Sequence, residues 1–114
     1  GDRLAVYCGN DDMILPAMAL GARGAISVAG NLVPDRIAEM TRAGLGGDFE
    51  RARKEQFALS ELIRLLGVEV NPIPVKAALS MMHLIEDELR LPLVPLEDEK
   101  RAPLEAELEK LNLL

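Results

Sequence analysis

The chain has 114 residues, 49% hydrophobic and 28% charged, with a net charge of −6. It is too short for a complete eight-stranded α/β barrel, which needs about 250 residues, and its acidic balance without a Lys/Arg cluster argues against nucleic acid and anionic membranes as partners. A single cysteine excludes an internal disulfide, and no signal peptide or membrane-spanning run is evident, so we expect a cytoplasmic protein.

Two short apolar runs, residues 4–8 and 24–28, frame a connection with helical apolar spacing over residues 13–21. Short runs joined in this way are typical of a β-α-β unit with two parallel strands, which are buried on both faces and therefore do not alternate. The carboxyl ends of parallel strands lie on one side, where α/β folds bind ligands. Residues 9–12 and those after Ile26 are therefore candidates for chemistry.

The remainder of the chain is predicted to be mostly helical. Pro34 favours the first position of a helix that ends at the glycines of residues 44–47. Asp48 is a favourable N-cap for one long helix over residues 49–66, in which apolar residues follow the helical period. A further helix follows Asn71, which we expect to be its N-cap.

The last part of the chain contains three more prolines. Residues 89–96 hold two of them and are predicted to be an extended segment, because proline disfavours both helix interiors and central strands. Residues 97–114 carry leucines on one stripe, which is typical of a surface helix docking by one face. We expect Pro103 to divide this helix into a short acidic turn and a main part.

Four blocks of the sequence, in the same order, resemble the dihydrodipicolinate synthase family. They are CGNDD at residues 8–12, LGARGAISV followed by NLVP within residues 20–34, NPIPVKAAL at 71–79 and LRLPLVPL at 89–96. The resemblance covers essentially the whole chain but roughly the last two fifths of the family's length. It implies an α/β fold class that is mostly helical by residue count. Residues 1–46 would be the last two β/α units of a (β/α)8 TIM barrel and would contain its strands seven and eight. Residues 47–114 would be a helical C-terminal domain.

The resemblance also implies an activity, that of a pyruvate-dependent class I aldolase or lyase. In this family a lysine forms a Schiff base with pyruvate, which then condenses with aspartate semialdehyde in lysine and diaminopimelate biosynthesis, without a metal or other cofactor. The nucleophilic lysine lies on the sixth strand of the family's barrel. We therefore expect no catalytic residue in this segment, an inactive isolated chain, and the N-terminal part of the barrel as a missing partner.

Three residues acquire binding roles by the same resemblance. Gly9 and Asn10 match a loop beside the second substrate, and Ile26 matches an isoleucine at the pyruvate end of the barrel, with a positional role for its backbone carbonyl. The family usually has serine at Cys8 and aspartate at Asn10. Leu20 matches a contact between tight dimers, which implies a homo-oligomer, either dimer or tetramer.

Other chemically capable residues have plainer interpretations. Lys76 carries an amine, the group that reacts with carbonyl substrates. However, it is expected within a helix that begins with two prolines, not at the end of a strand. His83 is expected at a helix end rather than on a metal, and Cys8 as a small core residue.

Two alternatives stay open: a sister lyase for N-acetylneuraminate or a keto-deoxy sugar acid, and a catalytically inactive interaction module.

Overall fold

The computed structural model describes residues 3–114. Its helices are α1 (Ile14–Ala19), α2 (Pro34–Leu45), α3 (Phe49–Ala58), α4 (Ser60–Leu66), α5 (Ile73–Met81) and α6 (Asp98–Lys110), with 3₁₀ turns at Asp11–Met13 and Ala29–Asn31. The chain forms two compact units, the first ending at Ser60 and the second comprising Glu61–Leu114. The predicted boundary between residues 46 and 47 refers to a complete barrel and stays a prediction.

The two predicted strands are not regular strands within the described residues. They meet at a single parallel bridge between Cys8 and Ala25. The Cys8 amide donates to the Gly24 carbonyl at 2.9 Å, and the Ile26 amide donates to the Cys8 carbonyl at 2.8 Å. The direction of pairing agrees with the prediction, but its extent does not, because two short strands without further neighbours form only a marginal ladder.

In the first unit, α1, α2 and α3 pack against one another. Their buried residues follow the predicted helical spacing and include Ile14, Met18, Ile37, Met40 and Ala52. Gly44 allows α2 to approach α1 closely, since a Cβ at this position would lie 3.0 Å from the sulfur of Met18. At the start of α3, Asp48 accepts a hydrogen bond from the Arg51 amide at 3.1 Å, so the predicted N-cap is confirmed.

The single helix predicted over residues 49–66 is wrong, because the structure divides it into α3 and α4. The interruption is at Leu59, which is fully buried and has φ −98° and ψ −2°. Beside it, the Ser60 hydroxyl donates to the Phe57 carbonyl at 2.8 Å. A serine that bonds a nearby carbonyl competes with regular helix bonding, which the apolar period alone does not reveal.

The second unit contains the packed pair α5 and α6. The N-cap of α5 is Pro72 rather than the predicted Asn71. Pro103 lies inside a continuous α6 and does not divide it, because Leu104 and Leu108 are fully buried on one face and hold the helix despite the missing amide donor. Residues 89–96 are non-helical as predicted, and His83 lies just beyond the end of α5.

Candidate functional site

Two loops meet where the parallel bridge ends. The first contains Gly9 and Asn10 and continues into the 3₁₀ turn Asp11–Met13, whereas the second runs from Ile26 into the turn Ala29–Asn31. The bridge places the residues that follow Cys8 beside those that follow Ala25. The structure therefore brings the three sequence-predicted binding residues to the same end of the paired segments.

The three predicted residues offer mainly backbone groups. Gly9 and Asn10 are exposed, and the Asn10 carbonyl accepts hydrogen bonds from the Met13 amide at 3.0 Å and the Cys8 thiol at 3.2 Å. The Ile26 side chain is 76% exposed, although an apolar strand residue is expected to be buried. Its backbone position is set by the hydrogen bond from its amide to the Cys8 carbonyl.

Asp11 connects the two loops, and in the sequence it is recognisable only as one of the candidate residues 9–12. Its side chain is buried, with 9% of the residue exposed, and Oδ2 accepts a hydrogen bond from the Ala29 amide at 2.8 Å. Its other oxygen, Oδ1, is buried without a hydrogen-bond partner among the residues the structure describes. Nothing in the local sequence distinguishes Asp11 from the exposed Asp12, since both are ordinary acids at a helix start.

Gln56 holds the first loop from α3. Its Nε2 donates to the Asp11 carbonyl at 2.9 Å, and its Oε1 accepts from the Leu15 amide at 3.2 Å. In the sequence Gln56 is a polar residue within the segment predicted to be one long helix. One amide side chain thus joins three elements of the first unit: the 3₁₀ turn, the first turn of α1, and α3.

The second loop has its own local hydrogen bonds. Ser27 Oγ accepts from the Gly30 amide at 2.8 Å, and the Asn31 side-chain amide donates to the Val28 carbonyl at 3.0 Å. The two loops expose backbone groups at Gly9, Asn10 and Ile26, which are groups that can orient a polar ligand, whereas the Asp11 carboxylate is buried between the loops. Over residues 3–114, no group of three His, Cys, Asp or Glu side chains is arranged to hold a metal ion.

The carboxylates and cations whose pKa values are shifted, Glu61, Arg64, Glu69 and Lys100, lie in the second unit. A hydrogen bond from Lys100 to Glu69, 2.7 Å long, lowers the pKa of Glu69 and raises the pKa of Lys100. The pair joins the segment before α5 to α6.

Lys76, which the sequence analysis considered as a nucleophile, lies in α5 and donates a hydrogen bond to the Glu88 carbonyl.

An apolar groove lies on the first unit. It has a volume of about 540 Å³, and its lining includes Leu4, Val6, Ala17 and Leu20. Leu20 is 91% exposed, an unusual state for a leucine that borders other apolar side chains. The groove is available for contact with another protein surface, and the predicted subunit contact at Leu20 stays a prediction.

The sequence matches a family model described as the dihydrodipicolinate synthetase family over residues 1–111. The chain belongs to this family. Among curated dihydrodipicolinate synthetase relatives, it is 47% identical over 113 residues to the 4-hydroxy-tetrahydrodipicolinate synthase of Methanosarcina mazei, covering 99% of this chain and 39% of that protein. The chain spans about two fifths of the length of the curated relatives it matches.

Solved dihydrodipicolinate synthetase structures match this chain over part of their length. The Aquifex aeolicus dihydrodipicolinate synthase matches with a TM-score of 0.97 at 46% identity, covering 99% of this chain and 39% of that one. The chloride-inhibited Acinetobacter baumannii enzyme, complexed with pyruvate, matches with a TM-score of 0.94 at 38% identity, covering 97% of this chain and 38% of that one. The resemblance stated from sequence is thereby confirmed.

None of the helices over residues 3–114 is long and apolar enough to cross a membrane.

Proposed function

We propose that this chain is the C-terminal portion of a 4-hydroxy-tetrahydrodipicolinate synthase. The complete enzyme condenses pyruvate, held as a lysine Schiff base, with aspartate semialdehyde in lysine biosynthesis in the cytoplasm. Residues 1–46 are the last two β/α units of its (β/α)8 barrel, and residues 47–114 are its helical C-terminal domain. The observation that carries the proposal is the match to the Aquifex aeolicus synthase, with 46% identity and a TM-score of 0.97 over 99% of this chain.

In this proposal the two loops of the first unit bind the substrates. Ile26 acts through its backbone at the pyruvate end, and Gly9 and Asn10 border the second substrate. The bridge hydrogen bond of 2.8 Å from the Ile26 amide to the Cys8 carbonyl supports a positional role, because it ties Ile26 to the residue directly before Gly9. Gly9 is exposed with nothing within 4 Å of its Cβ position, so a ligand can approach its backbone.

The isolated chain lacks the Schiff-base lysine in this proposal. Its lysines are at positions 54, 76, 100 and 110, all of them on helices rather than in the two substrate loops. Lys100 and Lys110 are paired with Glu69 and Glu107 at 2.7 Å and 3.0 Å. Schiff-base formation needs a free, unprotonated amine beside the bound carbonyl, and the position of these lysines on helices outside the two loops supports the proposal.

The test is reduction with borohydride in the presence of pyruvate, followed by mass spectrometry of the peptides. We expect the longer protein that contains this sequence to gain one reduced pyruvate adduct, on a lysine outside these residues, and the 114-residue chain to gain none. Stoichiometric labelling of Lys76 would contradict the proposal. Turnover of N-acetylneuraminate or a keto-deoxy sugar acid in place of aspartate semialdehyde would favour a sister lyase.

We further propose that Leu20 contributes to a contact between subunits of a homo-oligomer. Its 91% exposure beside an apolar groove supports this, because burial of a leucine side chain is worth about 1.5–3 kcal/mol. Replacement of Leu20 by Asp in the longer protein should shift sedimentation toward smaller species. An unchanged sedimentation coefficient would place the contact elsewhere.

A further inference from the structure

We propose that Asp11 is a positioning residue that fixes the two substrate loops relative to each other. The inference rests on the proposed function, since it assumes that Asn10 and Ile26 lie beside the substrates. Asp11 directly follows Asn10, and its Oδ2 accepts the Ala29 amide at 2.8 Å, three residues after Ile26. One carboxylate therefore spans both halves of the site.

The burial of Asp11 indicates that its hydrogen bond to Ala29 is needed to compensate for lost hydration. At 9% exposure the Asp11 carboxyl group has lost most of its hydration, and among the described residues its hydrogen-bond partner is the Ala29 amide, at Oδ2. The Ala29 amide begins a 3₁₀ turn and is itself buried, so the bond lies in a water-poor setting. A buried hydrogen bond is stronger than the same bond exposed to water, so it fixes the relative position of the two groups.

The backbone of Asp11 is held as firmly as its side chain. Gln56 donates to the Asp11 carbonyl at 2.9 Å from α3, and the same amide accepts from Leu15 in α1. The carboxylate thus projects from a point anchored to two helices, and the second loop is attached to that point through Ala29. A longer or shorter side chain at position 11 should therefore move Ile26 relative to Asn10 even if the fold is retained.

The experiment compares Asp11→Ala, Asp11→Asn and Asp11→Glu in the longer protein that contains this chain, with Asp35→Ala, an exposed acid on α2, as the matched control. A displaced loop should weaken binding of the substrate and of the transition state equally while the reacting groups stay in place. Asp11→Ala should therefore raise KM for aspartate semialdehyde about tenfold and leave kcat within about threefold. Asp11→Asn keeps an oxygen for the Ala29 amide and should restore KM to within about threefold.

Asp11→Glu keeps the charge but adds one methylene, so we expect KM to rise about as much as in Asp11→Ala while the protein stays folded. This variant keeps the test decisive if Asp11→Ala does not fold. A wild-type KM in Asp11→Glu, or an Asp11→Asn variant as impaired as Asp11→Ala, would overturn the positioning role.

A second readout is independent of activity. Hydrogen exchange of the Ala29 amide, measured in the same longer protein, should be faster by about tenfold in Asp11→Ala and near wild type in Asp11→Asn and Asp35→Ala. Equal exchange in all variants would contradict the loop connection itself. If the exchange rates behave as expected but the wild-type longer protein does not condense pyruvate with aspartate semialdehyde, the proposed function fails and the Asp11 connection stands.

Discussion

Replacement of Gln56 by Met tests whether α3 holds the loop that contains Gly9 and Asn10. Methionine has a similar length and a similar helix propensity, so the change removes the amide group without disturbing the helix itself. Two hydrogen bonds are lost, one of 2.9 Å to the Asp11 carbonyl and one of 3.2 Å from the Leu15 amide, both part-buried. At a net 0.5–1.5 kcal/mol for each bond, the free energy of unfolding should fall by about 1–3 kcal/mol.

The assay is urea unfolding of the chain followed by far-UV circular dichroism, together with hydrogen exchange of the Leu15 amide. Arg53→Met is the matched control, because it introduces the same residue at an exposed position of the same helix and should change stability by less than about 0.5 kcal/mol. If Gln56→Met and Arg53→Met unfold at the same urea concentration and the Leu15 amide keeps its protection, the Gln56 hydrogen bonds contribute nothing to stability and our account of the loop is wrong.

Three further predictions concern Ile26, the apolar groove and the stability of the chain at acidic pH. Ile26→Gly in the proposed full-length enzyme should lower thermal stability slightly, because glycine loosens the backbone of an exposed segment, and should lower pyruvate affinity; no change in either would refute the proposed positional role of this residue. The isolated chain should sediment as an associated species, because its apolar groove is uncovered, and a monodisperse 12.4 kDa species with cooperative melting would refute this. The pKa of Glu69 is lowered by Lys100, so this pair stabilises the fold above the ordinary carboxyl pKa of 4.5, and the contribution is lost as the pH falls through the lowered value. Lys100→Met should therefore flatten the dependence of the melting temperature on pH in that range, whereas an unchanged acid slope would show that the pair does not contribute.

The helices and their order were largely determined by the sequence alone. Pro34 and Asp48 begin helices where the sequence places them, and the leucine stripe of α6 is buried as its spacing predicts. Such signals are local, because a cap or an apolar face depends on residues within one or two turns. Membership of the family was also evident from sequence, since its motifs are contiguous blocks.

Contacts between distant residues were decided by the tertiary structure. Asp11 and Asp12 are equivalent acids in the sequence, yet only Asp11 is buried, because the Ala29 amide, 18 residues away, lies within hydrogen-bond distance. Gln56 reaches the Asp11 backbone across 45 residues. The extent of strand pairing likewise depends on which neighbours lie beside each strand. A residue's local sequence describes its own conformation, but the cost of burying its polar groups depends on partners that only the folded chain brings to it.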